Sequence, residues 1–390
     1  MANLFGDSDG LIDFDEVASV NKPQEAVVFM PWHKPRKQFV RCNQWWKHIE
    51  RLLSRCDEYK GIDTIKYFGL PGSDLLDISY FSRKLLESNH AQKKLFVHGF
   101  IDSVQGKQKA DMRLSELLDR KNVDSGSKVE HFNFQALADK APLALGRIKS
   151  NGAYHLINLD FCDGVFQERT INSMMTLLAY QFNAMIGVPW LFFLTTRTDR
   201  EGVARDLLAR LDEIFTASLS GDEAFARATA EHRKDILALL QAKKSLSDED
   251  ITDAEFSEIL QVCFVFWLLH FVHQHEARLE VVSVMKYRVH EGNDYPDMFS
   301  YAMRVTKSSV VRKDAFNMGK VVGLKVEELT AAIKERDKAK AIEILYGSLN
   351  VDLHLTEEPE TMKICAQDMK QLLEEAGLNV ANYEAQMGIV

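Results

Sequence analysis

The sequence lacks the cysteine patterns that are typical of secreted and zinc-binding proteins. The cysteines are odd in number and widely scattered, and no two of them form a C-x-x-C pair: they are Cys42, Cys56, Cys162, Cys263 and Cys365. This spacing argues against a disulfide framework and against a cysteine zinc site. Residues 1–5 contain no basic stretch leading into an apolar one, so we expect no signal peptide and a cytoplasmic location.

An excess of positive charge is also missing. The chain has 48 Lys and Arg against 57 Asp and Glu, a formal net charge of −9. Nothing in this balance favours nucleic acid, so any such contact needs a local basic patch. The hydrophobic content of 46% and charged content of 27% indicate a folded chain with a sizeable core rather than a disordered one.

Long apolar runs are scarce, and the most apolar stretch is residues 259–272. It is shorter than the roughly 20 residues that a membrane span requires, and Gln261 and His270 interrupt it. We interpret it as a buried core helix and expect no membrane association. The sequence has neither a G-x-S-x-G nor a Walker motif, so serine-hydrolase and P-loop functions have no support.

Two stretches imitate metal sites. His270 and His273 lie one helical turn apart and are followed by His275 and Glu276, which suits either a metal or the end of a buried helix. No H-E-x-x-H is present, and we expect no metal. Residues 7–16 resemble part of a calcium loop, but the first ligand position falls on Phe5, so we favour a solvated acidic arm.

Residues 31–41 alternate cations with aromatic side chains. Pro31 and Pro35 predict an extended strap, along which Trp32 and Phe39 could stack on bases. The candidate phosphate contacts are Lys34, Arg36, Lys37 and Arg41. The strap is therefore a possible nucleic-acid contact; the alternative is a surface segment that lays its aromatics on the domain.

The remainder of the chain alternates between strand and helix patterns. Apolar strands are predicted at residues 64–68, 94–100, 129–134, 155–160 and 190–197, with helices between them. Residues 202–275 read as wholly helical, and residues 279–289 and 298–305 read as two strands joined by a polar turn. This order predicts an α/β fold with a largely parallel sheet that ends in a β-hairpin.

The first of these strands opens the stretch around which the chain is organised. It runs into a turn containing Gly69 and Gly72, which let a ligand approach the backbone closely. Ser73 or Asp74 is the expected N-cap of the following helix, whose free amide donors would point at the ligand. In doubly wound folds this turn is where nucleotide-like ligands bind.

Polar side chains follow the later strands at the same edge of the sheet. Asp102 comes just beyond the second strand, where an acidic residue would meet a ribose, and Asn133 ends the third. Asp160 and Asp163 end the fourth, where chemistry is expected. One of these two carboxylates could instead cap the next helix.

Five β/α units closed by a hairpin resemble the class I S-adenosylmethionine-dependent methyltransferase fold, which has a seven-stranded Rossmann-like sheet. The turn Phe68-Gly69-Leu70-Pro71-Gly72 is similar to the F-A-G-P-G cofactor loop of the three-Cys-motif partner family, and residues 159–164 resemble that family's L-D-P-x-G segment. The resemblance implies that Gly69, Pro71 and Gly72 hold the methionine end of S-adenosylmethionine. It further implies that Asp102 meets the ribose, that Asn133 or Gln135 lies near adenine, and that Asp160 lies beside the methyl acceptor.

These patterns predict five segments. They are an N-terminal arm and helix (1–60), the first part of a Rossmann-like core (61–201), a helical insertion (202–276), the hairpin of the core (277–310) and a C-terminal helical extension (311–390).

Two functions compete. One is a divergent methyltransferase, with Asp160 or Asp163 as acceptor-orienting group or base and a nucleic-acid acceptor suggested by the strap. The other is a catalytically inactive scaffold in a multi-component bacterial system, for example an antiviral one, that meets a protein partner through the insertion or the C-terminal helices. Lys66 and Phe161, which replace an acidic residue and a proline of the family pattern, favour the scaffold.

Overall fold

The structure is a computed structural model that describes residues 28–139, 142–161, 163–221, 223–242, 246, 250–290, 292–307 and 326–388. The calcium-like residues 7–16 lie outside this set.

One mixed sheet forms the centre of the molecule, with strand order β3-β2-β1-β4-β5-β7-β6-β8. The strands are β1 (Thr64–Gly69), β2 (Lys94–Ile101), β3 (Lys128–His131), β4 (Leu156–Asp160), β5 (Trp190–Arg197), β6 (Arg278–Tyr287), β7 (Met298–Thr306) and β8 (Leu349–Asn350). Strands β1 to β5 are parallel, and β7 runs antiparallel to both β5 and β6. The short β8 pairs in parallel with β6 and was not predicted.

This strand order defines the fold class. The order of the parallel strands reverses between β1 and β4, and the terminal hairpin places β7 between β5 and β6. The protein therefore has the Rossmann-like class I methyltransferase fold, with a helical insertion and a C-terminal helical extension, as the sequence predicted. Register fixes the two faces of the sheet, because successive side chains of a strand point to opposite layers. Phe192 and Leu194 join one hydrophobic cluster, and Leu191 and Phe193 join the other.

Helices cover both faces. In chain order they are α1 (Pro35–Val40), α2 (Lys47–Arg55), α3 (Leu76–Glu87), α4 (Val104–Leu118), α5 (Leu143–Ser150), α6 (Glu168–Ala184), α7 (Arg205–Gly221), α8 (Glu223–His232), α9 (Lys234–Gln241), α10 (Asp253–Gln274), α11 (Val326–Tyr346), α12 (Val351–Glu357), α13 (Pro359–Glu375) and α14 (Tyr383–Gln386). In the C-terminal extension, α11 is one continuous helix of 21 residues.

Helix α10 contains the most apolar stretch of the sequence. Its 22 residues make it long and apolar enough to cross a membrane by length and composition, yet 72% of its most apolar window is buried inside the fold. Thr252 caps its N-terminus and forms a reciprocal capping box with Glu255. The packing agrees with the interpretation as a core helix.

The N-terminal segment corrects one prediction. Residues 31–41 are not an extended strap: a 3₁₀ turn at Pro31–His33 leads into α1, and a π-helical stretch at Arg41–Trp46 joins α1 to α2. Pro35 occupies the first turn of α1, where its missing N–H costs nothing and its fixed φ suits the helix. The prolines therefore start helices here rather than preventing them.

The C-terminal extension packs on this N-terminal segment. Gln38 donates a hydrogen bond to Asp368 of α13, and the hydroxyl of Tyr383 donates to the carbonyl of His33 at 2.7 Å. The Phe29 and Tyr383 rings meet edge to face, with centroids 4.9 Å apart. Both ends of the described chain thus share one hydrophobic cluster with the sheet.

Candidate functional site

A cleft of about 750 Å³ opens where the strand order reverses, at the carboxyl ends of the parallel strands. The loops that follow β1, β2, β3, β4 and β5 all contribute to its wall. In open α/β sheets ligands bind in such a crevice, and a volume of several hundred Å³ is ordinary for a small-molecule site.

The loop after β1 forms one wall, with Leu70, Pro71 and Gly72 lining the cleft. A Cβ added at Gly72 would meet no atom within 4 Å, so the backbone here is open to a ligand. Gly69 does not line the cleft. A Cβ at that position would lie 2.7 Å from Cζ of Tyr67, so Gly69 makes room for a neighbouring ring.

The start of α3 differs from the prediction. Its N-cap is Leu75, at φ 49° and ψ 35°, so neither Ser73 nor Asp74 caps the helix. A left-handed conformation is unfavourable for a buried leucine, and such conformations persist where the surroundings enforce them, often at functional sites. Leu75 N–H donates to the Gly72 carbonyl at 3.0 Å, which closes the turn.

Asp102 and Asn133 lie at the ends of the neighbouring strands, and both line the cleft. Asp102 follows β2 directly, and its side chain is exposed. Asn133 caps the 3₁₀ turn Phe134–Ala138, where its Oδ1 accepts from Gln135 N–H at 2.8 Å. Phe132 and Phe134 add an aromatic wall beside them.

Asp160 and Asp163 complete the predicted set at the end of β4, and both line the cleft. The Asp160 side chain is 19% exposed, and its Oδ1 lies 2.6 Å from Lys37 Nζ in α1. Burial alone would lower the pKa of Lys37, but the nearby Asp160 carboxylate and smaller contributions from Tyr287 and Asp77 raise it to about 12. Lys37 is therefore a permanent cation at this site.

Lys37 and Arg41 were predicted to contact nucleic acid or a partner, yet they are 4% and 2% exposed. Arg41 forms a buried ion pair with Asp77 in the first turn of α3. Arg36 pairs with Asp352 at 3.1 Å. As folded, Lys37 and Arg41 have almost no surface to offer to a phosphate.

A second buried carboxylate lies at the loop after β1. Asp74 is within 3.5 Å of His33 Nε2 and 2.5 Å of Lys109 Nζ. Burial would raise the pKa of Asp74, but the interactions with His33 and Lys109 outweigh it and lower the pKa below its usual value. Lys66, at the position where the three-Cys-motif partner pattern has an acidic residue, does not line the cleft and donates to the Asn151 carbonyl at 2.8 Å.

A model of the PP_RS20740-like family matches residues 26–387. The chain belongs to this family. No curated protein matches the sequence significantly.

Solved structures resemble this PP_RS20740-like protein only distantly. An rRNA methylase from Streptococcus thermophilus is 8% identical, with a TM-score of 0.32 over 72% of this chain and 100% of that one. A putative sarcosine dimethylglycine methyltransferase from Galdieria sulphuraria is 8% identical, with a TM-score of 0.29 over 70% and 86%. A geranyl diphosphate methyltransferase in complex with GPP and sinefungin is 8% identical, with a TM-score of 0.31 over 67% and 78%. At such TM-scores the fold assignment rests on the strand order.

The cleft of this PP_RS20740-like protein is acidic. Six carboxylates and two guanidinium groups line it: Asp74, Asp77, Asp102, Asp160, Asp163 and Glu201, with Arg41 and Arg197. Three of these carboxylates are paired with cations: Asp74 with Lys109, Asp77 with Arg41 and Asp160 with Lys37. The excess of negative charge is therefore small and rests on Asp102 and Asp163, and it favours a cationic ligand over a phosphate.

The sequence predicted six residues that line the cleft: Pro71, Gly72, Asp102, Asn133, Asp160 and Asp163. It did not predict which cations pair with the carboxylates. Lys37 and Arg41 are four residues apart, which is the spacing of one helical face, and Pro35 was the available sign that a helix starts before them. No grouping of three or more His, Cys, Asp or Glu suited to a metal ion occurs within the part of the chain that the structure describes.

Proposed function

We propose that this PP_RS20740-like protein is a divergent methyltransferase that binds S-adenosylmethionine in the acidic cleft. The observation that supports this proposal is the convergence of Pro71, Gly72, Asp102, Asn133 and Asp160 on a single crevice at the strand-order reversal. These residues lie far apart in the sequence, and each lies in a loop that follows a parallel strand or at the end of such a strand.

The residues present fit this cofactor. S-adenosylmethionine supplies a methyl group on a positively charged sulfur, and an acidic lining suits that charge. Gly72 leaves its side of the cleft open, so the backbone can approach the cofactor closely. Asp102, at the end of β2, is the residue that would accept hydrogen bonds from ribose hydroxyls.

The aromatic wall and the paired carboxylates would have separate roles. Phe132 and Phe134 flank Asn133 and provide an apolar surface for a flat adenine ring. Asp74 and Asp77 are already paired with cations, so they shape the loop rather than neutralise a ligand. Asp160 is paired as well, with Lys37, but its side chain keeps 19% exposure. Asp160 and Asp163 are therefore the carboxylates available to orient an acceptor or to accept its proton.

A nucleic-acid acceptor has less support than the sequence suggested. Two of the four cations proposed for it, Lys37 and Arg41, form buried ion pairs. The cleft itself carries more carboxylates than cations, which opposes a phosphate backbone. Arg36 is also paired, with Asp352, and nucleic-acid contact through Lys34 and Arg36 stays a hypothesis.

One observation favours the second candidate, an inactive scaffold. Lys37 already pairs with Asp160, and Asp160 would have to give up this ion pair to act as a catalytic base. The residue after Asp160 is Phe161, where the three-Cys-motif partner pattern has proline. In this function the methyltransferase fold would act as an interaction subunit of a multi-component bacterial system, with antiviral defence as one setting. The three-Cys-motif resemblance is its further support.

Isothermal titration with S-adenosylmethionine and S-adenosylhomocysteine tests the proposal. We expect micromolar binding by the unaltered protein and its loss in Gly72→Arg, whose side chain would enter the cleft. Gly146→Arg is the matched control, because Gly146 is exposed and a Cβ there meets no atom within 4 Å. Absence of binding at millimolar ligand, with the protein folded, would contradict the enzyme and leave the scaffold.

A further inference from the structure

The ion pair between Lys37 and Asp160 joins the N-terminal helix to the wall of the cleft. Lys37 Nζ lies 2.6 Å from Asp160 Oδ1 and 3.4 Å from the Tyr287 hydroxyl, and it sits 4.7 Å from the centroid of the Trp45 ring. A carboxylate, a phenol and an indole face together hold an ammonium ion. The site is built around this one cation.

Keeping such a pair buried has a cost that a surface pair does not have. Both charges lose water on burial, and an apolar pair of similar volume would often be equally stable or more stable. Lys37 is almost completely buried, whereas Asp160 keeps partial exposure to the cleft. The pair therefore has its exposed end at the ligand site and its buried end in the core.

The surroundings of the pair show what would happen without Lys37. The charged and titratable groups that act on Lys37 and on the adjacent Tyr67 are Asp77 from α3, Arg41 from the π-helical stretch, Tyr287 from β6 and Asp160 itself. Arg41 is already paired with Asp77. Without the Lys37 ammonium, Asp160 would be a partly buried carboxylate with no close cation, and a charge left unpaired in such a place is unfavourable.

We propose that Lys37 is a positioning residue for Asp160: it balances the charge of this carboxylate and holds it in one place at the wall of the cleft, where a cationic ligand would meet it. The identity of that ligand rests on the proposed function. The pairing itself does not, and the two are tested separately.

The first test needs no ligand and uses Lys37→Met, Asp160→Asn and the double variant, with thermal unfolding between pH 4 and pH 7. In Lys37→Met the Asp160 carboxylate has no counter-ion in its partly buried position, so the variant should lose stability relative to the unaltered protein as carboxyl groups ionise with rising pH. The difference in Tm between the unaltered protein and Lys37→Met should therefore widen from pH 4 to pH 7. The double variant, which has no charge at either position, should show a constant difference. A constant difference for Lys37→Met as well would overturn the proposal.

The second test uses the same proteins with S-adenosylmethionine and S-adenosylhomocysteine, which differ by one methyl group and one positive charge on sulfur. Between pH 7 and pH 5.5 we expect Lys37→Met to lose about tenfold in affinity for S-adenosylmethionine relative to the unaltered protein. Affinities are compared with those of the unaltered protein at the same pH. The reason is that His33, which lies near the loop carboxylate Asp74, is present in every variant. Affinity for S-adenosylhomocysteine should change less, and the double variant should follow the unaltered profile.

The outcomes separate the two proposals. If no protein binds either compound but the Tm difference widens as expected, the cofactor is wrong and the positioning role of Lys37 stands. If S-adenosylmethionine binds and Lys37→Met keeps the unaltered pH profile, the proposed cofactor stands and the role of Lys37 is wrong. If Lys37→Met fails to fold at pH 7 but folds at pH 4, and the double variant folds at both pH values, the pairing is supported.

Discussion

The ring of Pro71, in the loop after β1, packs directly against Gly99 of β2. A Cβ at position 99 would lie 2.7 Å from Pro71 Cγ and 3.0 Å from Pro71 Cδ. A proline ring has little freedom to move aside. The position of the loop at the cleft therefore depends on the absence of a side chain in the neighbouring strand.

Gly99→Ala should accordingly displace this loop. We expect about 1–3 kcal/mol lower stability from overpacking and at least tenfold weaker binding of S-adenosylhomocysteine, measured by titration calorimetry and thermal unfolding. Gly61→Ala is the control, because a Cβ there meets no atom within 4 Å. Unchanged affinity in a folded Gly99→Ala protein would show that the loop does not form the ligand site.

Asp102 provides a test of the ribose contact. Because its side chain is exposed at the end of β2, Asp102→Asn should change stability by less than about 0.5 kcal/mol. It should weaken S-adenosylhomocysteine binding about tenfold or more, since a hydrogen bond to a charged group contributes roughly 1.5–3 kcal/mol. Asp119→Asn, at an exposed position after α4, should leave the affinity unchanged. Equal affinities of the two variants for S-adenosylhomocysteine would show that Asp102 does not contact the ligand.

His155 should make the protein less stable in mild acid. Its Nδ1 accepts from Lys66 N–H at 2.9 Å, so the ring must be neutral at that atom. Burial, with smaller contributions from Lys66 and Lys93, lowers its pKa to about 4, against about 6.5 in an unfolded chain. The unfolded state therefore takes up the proton first, and stability is lost as the pH falls from 6.5 towards 4, by at most about 3 kcal/mol from this group.

His155→Asn checks this directly, because an amide oxygen can still accept from Lys66 but does not titrate. At pH 7 the variant should have a lower free energy of unfolding than the unaltered protein, and this difference should become smaller by pH 4. Denaturant unfolding at the two pH values measures it. An equal difference in the free energy of unfolding at the two pH values would show that His155 does not contribute to the loss of stability in acid.

The Tyr383 hydroxyl should hold the N-terminal segment in place. Tyr383→Phe removes the 2.7 Å hydrogen bond to the His33 carbonyl, at a cost of about 1 kcal/mol, and should speed amide exchange in residues 28–40. Tyr59→Phe removes a hydrogen bond of the same length to the Pro189 carbonyl and should not affect exchange there. Similar exchange in both variants would mean that other contacts hold the segment.

Much of this fold can be predicted from short stretches of the sequence, and the position of the cleft follows from the fold. Four of the five parallel strands are largely apolar runs, whereas β3 alternates polar and apolar residues, and both patterns are visible in short stretches of sequence. Once the strands are parallel, residues that follow them, such as Asp102 and Asp160, must meet at one edge. That is why residues far apart along the chain could be grouped without knowing their contacts.

The pairing of charges could not be predicted in the same way. Lys37 and Asp160 are separated by 123 residues, and nothing in either local sequence identifies the other. Prolines and alternating cations made residues 31–41 look like an extended surface strap, whereas tertiary packing turns them into a buried helix. Likewise, Ser73 and Asp74 are better N-cap residues than Leu75, yet the closed turn after β1 places Leu75 at the cap.

The contact between His33 and Tyr383 spans 350 residues, and this has a consequence for biosynthesis. At about 5–20 residues per second, a ribosome needs roughly 20–70 s to make the chain between them. During that time the nascent N-terminal helices, with Phe39, Val40 and Trp45 all destined for burial, have no C-terminal helices to cover them. This segment is made long before its partner and is therefore among the last parts of the chain to reach its final packing.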